Sequence, residues 1–117
     1  MIENFRIGID VVDINRFRNI PFSKNKKFYQ KIFLPSEIEY CLRYKNSFER
    51  FAGKFAIKEA VQKTISTKIQ LLDIETFHKN SIPQVKINLE KIKYLFLVSL
   101  SHEKELAVAV VVAEKIS

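Results

Sequence analysis

Residues 46–64 read NSFERFAGKFAIKEAVQKT and carry the longest helical pattern in the chain. At about 100° per residue, Phe51 and Phe55 fall on one side of the predicted helix. Glu59 follows one turn after Phe55, within the same apolar stripe, and Lys63 comes four residues later. A carboxylate in such a stripe requires a cation beside it or access to water at the edge of the core. Glu59 is therefore a candidate metal ligand, with a surface Glu59–Lys63 ion pair as the alternative.

A second acid lies inside the first predicted strand. Residues 5–12, FRIGIDVV, alternate like a strand, and Gly8 and Asp10 share one of its faces. Asp is uncommon in strands, and a strand glycine indicates the close approach of another backbone or a ligand. Asp10 and Glu59 could share Mg²⁺, which often takes one or two protein carboxylates and completes its coordination with water and phosphates. An edge-strand aspartate that faces water is the alternative.

The remaining pattern predicts two short helices before the long one and a sheet after it. Ser23 is expected to cap a helix over residues 24–33, and Ser36 with Glu39 forms a capping box before a helix over residues 37–44. Alternating apolar residues then predict strands at 72–77 and 85–89, and two further strands, 96–101 and 106–113, flank a polar stretch at 102–105 that suits a hairpin loop.

The order of these elements predicts one α+β domain over residues 1–117, with an antiparallel sheet packed against the long helix. Residues 108–112 are all apolar, which predicts a strand buried on both faces.

Composition excludes several classes of protein. The single cysteine, Cys41, excludes an internal disulfide framework, and no Cys/His cluster has zinc spacing. The longest apolar run, residues 106–113, is too short to span a bilayer. Acids and strand-like alternation near the N-terminus argue against a signal peptide. We therefore expect a cytoplasmic protein that does not enter a membrane.

The charge of the chain indicates an anionic partner. Lys and Arg exceed Asp and Glu by seven, and residues 14–36 contain six basic residues and no acid. A solvated face is the usual explanation of such a run, but its length also fits an anionic docking surface.

A serine/histidine pair near the C-terminus suggests a hydrolase only weakly. Ser101 and His102 end a predicted strand, but the G-x-S-x-G elbow of serine hydrolases is absent. The sequence also lacks a P-loop and a G-x-G-x-x-G motif, so bound phosphates would have to contact basic side chains, backbone amides or a metal.

Three motifs resemble those of the holo-acyl-carrier-protein synthase family. Residues 8–12, GIDVV, followed by Arg16, resemble the opening motif of that family. Residues 55–60, FAIKEA, with Lys63, resemble its F-A-x-K-E-A-x-x-K helix. Residues 98–102, VSLSH, before an alanine- and valine-rich strand, resemble its C-terminal end. Order and spacing agree over essentially the whole chain.

The resemblance implies a small α+β 4′-phosphopantetheinyl transferase, usually a homotrimer with active sites at subunit interfaces. Such an enzyme moves 4′-phosphopantetheine from coenzyme A to a serine of apo-acyl carrier protein, with Mg²⁺, and serves fatty acid biosynthesis. By motif, Asp10 and Glu59 would bind the magnesium, and Glu59 would also act as general base, directly or through a water. Lys63 would contact the coenzyme A phosphates during catalysis.

Other residues are assigned to ligand and partner binding by the same resemblance. Lys54, Ser101 and His102 would join Lys63 at the cofactor. The surface that docks the acidic helix of the carrier protein would consist of Arg16, Arg18, Lys24, Lys26 and Lys27.

The chain departs from the family pattern around the cofactor. Lys54 stands where many relatives have arginine, residues 64–68 contain no glycine, and the Gly that usually precedes a Lys/Arg-Pro pair is missing before Pro83.

Two other functions compete with this one. A small basic nucleic-acid-binding module is compatible with the charge and the aromatic content, but no RNP or KH signature is present. Such a module would also leave the position of Glu59 unexplained. An inactive subunit that keeps the fold for interaction is the third candidate. We expect catalysis, without nucleic-acid binding.

Overall fold

A computed structural model describes residues 2–116. The elements, in chain order, are β1 Phe5–Asp13, α1 Asn15–Arg18, α2 Lys26–Gln30, α3 Pro35–Leu42, α4 Ser47–Thr64, β2 Ile74–Lys79, β3 Ile82–Ile87, β4 Tyr94–Glu103 and β5 Leu106–Lys115. Short 3₁₀ turns precede α2 and β2. The predicted α+β class and the long helix are confirmed. No helix within the described residues is long and apolar enough to cross a membrane.

A three-stranded antiparallel sheet, in the order β1-β5-β4, lies against α4. The central strand β5 buries Ala107, Ala109 and Val111 completely on its inner face. Its outer face, which carries Val108 and Val110, is only half-buried in the single chain. The expected burial of this strand thus holds for the inner face. Strands β2 and β3 form a separate antiparallel hairpin.

Small residues allow β1 and α4 to approach closely. A Cβ atom on Gly8 would lie 2.1 Å from the backbone oxygen of Ala60. Ala56 and Ala60 of the helix are themselves fully buried. This contact explains why glycine stands inside a strand, and it brings the inner face of β1 directly onto the helix that carries Glu59 and Lys63.

Aromatic packing holds residues 15–33 over the other side of α4. The rings of Tyr29 and Phe51 are 4.6 Å apart in an edge-on arrangement, and Phe33 and Phe51 are 5.0 Å apart. Phe17 lies in the same cluster. Burial raises the pKa of Tyr29 to about 12.

The expected helix over residues 24–33 is wrong in extent. The structure has a 3₁₀ turn at Phe22–Lys24, the short α2 and an unpredicted α1. No capping bond from Ser23 forms, because that residue lies inside the 3₁₀ turn. These turns follow the aromatic cluster, and packing of this kind overrides weak local propensity.

The capping box expected for Ser36 and Glu39 is also wrong. Helix α3 begins at Pro35, and Glu37 caps it by accepting a hydrogen bond from the Leu34 amide at 2.7 Å. Glu39 instead forms an exposed ion pair with Arg43. The register of the cap therefore moves by two residues, and Glu37 becomes a buried residue.

The four late strands are confirmed with shifted bounds. Strand β2 starts two residues later than expected because Asp73 closes a 3₁₀ turn before it, accepting a hydrogen bond from the Gln70 amide. Strand β3 starts three residues earlier than expected, at Ile82.

Candidate active site

Asp10 of β1 and Lys63 of α4 are in contact. Asp10 lies on the inner face of the strand, with its side chain 17% exposed, and its Oδ1 is 3.3 Å from Lys63 Nζ. Lys63 Nζ also donates a hydrogen bond to the Ile9 carbonyl oxygen at 2.7 Å. Helical side chains lean toward the helix N-terminus, so Lys63 reaches back toward the strand. The structure thus brings together two of the predicted site residues.

Glu59 precedes Lys63 by one turn on the same side of α4 and is half-buried. Within residues 2–116, no hydrogen bond or ion pair engages its carboxylate. Glu59 therefore lies at the margin of the core, where a carboxylate can stay ionised and meet a ligand.

The donor chemistry of Asp10 and Glu59 fits a magnesium ion. Both groups are hard oxygen donors, which Mg²⁺ prefers. The described part of the chain holds no group of three or more His, Cys, Asp or Glu side chains arranged for a metal. Two carboxylates suit a cation that takes its remaining ligands from water and substrate phosphates.

A basic cleft lies on another side of the molecule, between α4, β2 and β4. The side chains that line it include Arg50, Lys54, His78 and His102. Lys54 is only 5% exposed, and its Nζ donates a hydrogen bond to Thr76 Oγ1 at 3.0 Å. Burial lowers the pKa of Lys54, although nearby Cys41 and Glu37 oppose the effect.

The two histidines of the cleft are held differently. His78 stacks on the Tyr40 ring at 4.8 Å, and its pKa is lowered by burial first and by Lys54 and Arg50 second. His102 Nε2 lies 3.4 Å from the Glu49 carbonyl oxygen, and a Cβ on Gly53 would meet the same ring. His78 was not among the predicted site residues; strand β2 runs two residues further than expected, to Lys79, and carries His78 to the cleft.

The predicted site residues separate into two groups. Lys54 and Lys63 are nine residues apart, about two and a half helical turns, so they project from opposite sides of α4. Asp10, Glu59 and Lys63 lie toward the β1 edge of the sheet, whereas His102 lies on β4, at the other edge. Ser101 is exposed and, by strand alternation, points to the face opposite His102.

A buried ion pair was missed from the sequence. Lys58 Nζ is 2.6 Å from Glu37 Oε1, and both side chains are fully buried. Lys58 also donates hydrogen bonds to the Ile32 and Leu71 carbonyl oxygens at 2.9 and 3.1 Å. Burial lowers the pKa of Lys58, and the Glu37 carboxylate opposes that effect. The pair therefore ties α4 to α3 and to two loops.

The signal for this pair was present in the sequence. Lys58 lies seven residues after Phe51, almost two full turns, and so falls closer to the Phe51 side of the helix than Glu59 does. The charge buried within the apolar stripe is that of Lys58.

The basic residues of segment 14–36 lie on the surface. Arg18 pairs with Glu105 at 2.7 Å, and Arg16 lies over the Phe55 ring, one turn of helix before Glu59. Lys24, Lys26 and Lys27 line one shallow concavity. None of these three lysines has an ion-pair partner among residues 2–116. Through Arg16, this basic surface reaches Phe55, one helical turn before Glu59.

Comparison with known proteins identifies the family. The model of the 4′-phosphopantetheinyl transferase superfamily matches residues 6–111. The chain is 38% identical to a holo-[acyl-carrier-protein] synthase of Caldicellulosiruptor bescii over 95% of this chain and 98% of that protein. It is also 38% identical to the enzyme of the same name from Chlamydia felis, over 92% of this chain and 94% of that protein.

Solved structures agree with the sequence relatives. A holo-(acyl-carrier-protein) synthase from Bacillus anthracis, in complex with CoA (3′,5′-ADP), aligns with a TM-score of 0.79 at 32% identity, covering 94% of this chain and 96% of that one. The Helicobacter pylori synthase, in complex with coenzyme A, gives the same TM-score and identity, covering 93% of this chain and all of that one. With the motifs, the shared fold and these relatives together, the chain belongs to the 4′-phosphopantetheinyl transferase superfamily.

Proposed function

We propose that this chain transfers 4′-phosphopantetheine from coenzyme A to a serine hydroxyl of apo-acyl carrier protein. The products are the holo carrier protein, used in fatty acid biosynthesis, and 3′,5′-ADP. The contact between Asp10 and Lys63 carries the proposal, together with Glu59, which lies one helical turn away and has no ion-pair partner within residues 2–116. Two acids, Asp10 and Glu59 (the acid pair), and one cation on the same side of α4 support this function, as do the relatives named holo-[acyl-carrier-protein] synthase, of which 98% and 94% are covered.

Asp10 and Glu59 would hold Mg²⁺. When bound, this ion would neutralise the charge that develops on the leaving group as the pyrophosphate link of coenzyme A is cleaved.

Lys63 and Glu59 have separate roles in the proposed reaction. Lys63 already lies beside a carboxylate and would offer its ammonium to a phosphate oxygen, which adds a second positive charge to the leaving group. Glu59 would take the proton of the attacking serine, directly or through a water. The hydroxyl oxygen then forms the new bond to the phosphorus nearer the pantetheine, and the bond from that phosphorus to the leaving 3′,5′-ADP breaks.

The cofactor residues Lys54, Ser101 and His102 would complete the site from a neighbouring subunit. They lie toward the β4 edge, whereas the acid pair lies at the β1 edge. A head-to-tail ring brings opposite edges of adjacent copies together. The outer face of the sheet supports such an assembly, because Ile7 and Leu97 are 71% and 73% exposed, and contiguous exposed apolar surface marks interfaces. We propose that the ring is a homotrimer.

The basic surface formed by Arg16, Arg18, Lys24, Lys26 and Lys27 would dock the carrier protein. Arg16, which lies over Phe55 one helical turn before Glu59, would direct the incoming serine to the acid pair. An exposed basic surface steers acidic partners, with a rate that falls as salt rises. We place the activity in the cytoplasm, where the free, buried Cys41 would stay reduced.

Mass spectrometry of the carrier protein tests the proposed activity. The chain is incubated with apo-acyl carrier protein, coenzyme A and Mg²⁺, and the carrier protein should gain the mass of one phosphopantetheine. Addition of EDTA should prevent the gain. An unchanged carrier protein, or salt-dependent binding of nucleic acid without binding of coenzyme A, would support the competing functions.

A further inference from the structure

Four buried polar side chains form one continuous chain of contacts from the core to the basic cleft. Lys58 pairs with Glu37 Oε1 at 2.6 Å. Glu37 Oε2 accepts hydrogen bonds from the Thr76 amide and hydroxyl at 2.8 and 2.6 Å. Thr76 Oγ1 then accepts a hydrogen bond from Lys54 Nζ at 3.0 Å. Each of these residues is at least nine-tenths buried.

The direction of each hydrogen bond in this series of four side chains is fixed by chemistry. A threonine hydroxyl has one proton, and an ionised carboxylate can only accept. Thr76 must therefore donate its proton to Glu37, which leaves an oxygen lone pair for the Lys54 ammonium. Lys54 is held at the cleft by Thr76 and by the Tyr40 ring, 4.7 Å from its Nζ.

The four side chains together have an excess of positive charge. They contain two ammonium groups, on Lys54 and Lys58, and one carboxylate, on Glu37. The carboxylate pairs directly with Lys58, while among residues 2–116 the contacts of Lys54 Nζ are the neutral Thr76 oxygens and the Tyr40 ring. Buried charges are usually compensated, so the Lys54 side of the cleft, which Arg50 and His102 also line, is suited to an anion.

We propose that Thr76 is a positioning residue that fixes the Lys54 ammonium for a phosphomonoester of the substrate, with Glu37 setting the orientation of the Thr76 hydroxyl. This inference rests on the proposed function. Coenzyme A carries a phosphomonoester on its ribose besides its pyrophosphate. Lys54 and Lys63 project from opposite sides of α4, so the two lysines meet different phosphate groups. The group assigned to Lys54 is the phosphomonoester.

Calorimetry with two ligands tests the role of Thr76. Coenzyme A and 3′-dephospho-coenzyme A are titrated into the wild-type chain and into Thr76→Val and Thr76→Ser. Thr76→Val keeps the shape but removes the hydroxyl, and should weaken coenzyme A binding about tenfold, as expected for one hydrogen bond to a charged group. Binding of the dephospho ligand should stay within about twofold. Thr76→Ser should restore the preference for coenzyme A.

Steady-state kinetics give a second readout that a purely structural role would not produce. In Thr76→Val the KM for coenzyme A should rise while kcat changes little, because the acid pair at the β1 edge is untouched. In a Lys54→Gln background, adding Thr76→Val should cause no further loss of coenzyme A affinity, since Thr76 acts through Lys54. If the valine variant does not fold, Thr76→Ala gives the same comparison.

The outcomes separate this inference from the proposed function. A wild-type chain that neither binds coenzyme A nor modifies the carrier protein overturns the proposed function and this inference with it. If the wild-type chain is active but Thr76→Val loses equal affinity for coenzyme A and for 3′-dephospho-coenzyme A, only the role of Thr76 is overturned. An undiminished effect of Thr76→Val in the Lys54→Gln background does the same.

Discussion

The carboxylates of Glu37, Asp10 and Glu59 differ in burial and in bonding partners, and these differences indicate different roles. Glu37 is fully buried, and both of its oxygens are bonded. Asp10 is mostly buried beside Lys63, and Glu59 is half-buried and open. A fully bonded carboxylate stabilises the fold, whereas a carboxylate without a partner at the edge of the core can bind a cation or take a proton. Environment therefore supports Asp10 and Glu59, and not Glu37, as the carboxylates of the proposed reaction.

Replacing Glu59 by glutamine should remove catalysis and leave the fold intact. The amide keeps the size of the side chain but can neither take the serine proton nor supply a negative charge to the cation. We expect kcat to fall by about 10²–10⁴ or more. Circular dichroism and transfer kinetics are measured together, with the exposed Glu90→Gln as the matched control. Activity near the wild-type level in Glu59→Gln would contradict the assignment.

Cys41 should make the chain less stable in alkali. Burial raises the pKa of this thiol from 9.0 to about 12 in the folded chain. The stabilising contribution is complete below pH 9 and is lost as pH rises toward 12, because the unfolded chain releases the proton first. In Cys41→Ala, the free energy of unfolding should therefore fall less steeply between pH 9 and 10 than in the wild type.

Urea unfolding at several pH values measures this difference between wild type and Cys41→Ala. The slopes should differ by up to about 1.4 kcal/mol per pH unit, the limit for one titrating group. Identical slopes would show that the thiol does not titrate differently in the folded chain.

At the scale of elements, the contact between β1 and α4 sets the geometry of the candidate site. Gly8 lies against the Ala60 backbone, and Asp10 follows two residues later on the same face. Neither element can move away without separating Asp10 from Lys63. The packing of two backbones thus positions the acid pair.

Gly8→Ala should destabilise the fold and lower activity together. The added methyl group would meet a backbone oxygen that cannot turn away, and overpacking of this kind costs roughly 1–3 kcal/mol or more. Gly53→Ala is the matched control, because its methyl group would press only on the flexible end of Leu100 and would touch the His102 ring at ordinary van der Waals distance, and alanine favours a helix. Thermal unfolding of both variants checks the prediction, and a Gly8→Ala variant as stable as Gly53→Ala would contradict it.

Elements with strong local patterns could be predicted, and elements formed by packing could not. Helix α4 could be predicted from the spacing of its phenylalanines, and strands β4 and β5 from two apolar runs on either side of one polar turn. Residues 15–33 lack such a pattern, because their short turns follow the aromatic cluster around Phe51. Asp10 and Glu59 were found because each breaks a local pattern. Glu37 and Thr76 were missed because their partners are distant in sequence.

At the scale of the whole molecule, the proposed function divides the site into two halves on opposite edges of one sheet. The acid pair lies toward β1, and the basic cleft lies toward β4. The outer face between these edges exposes Ile9, Leu95 and other apolar side chains. This arrangement explains how a chain of 117 residues could build a site for a large cofactor by assembling copies.

Two inactive variants should restore activity when they are mixed. Glu59→Gln damages the β1 side of the site, and Lys54→Gln weakens the β4 side. If each site joins two subunits, mixed rings contain some interfaces with both intact halves, about a quarter by random assortment. Transfer is measured at low coenzyme A after the two variants are denatured together and refolded, with each variant refolded alone as the control. No recovery in the mixture would place both halves of the site within one subunit.

The central claim is that Asp10 and Glu59 share one divalent cation, and a crystal structure of the chain with coenzyme A and Mn²⁺ tests it most directly. Anomalous scattering locates the metal without reference to the protein. We predict one peak at about 2.1 Å from a carboxylate oxygen of each residue, with phosphate oxygens completing the coordination. A peak that contacts only one of the two carboxylates, or the absence of a peak between them, would contradict the account.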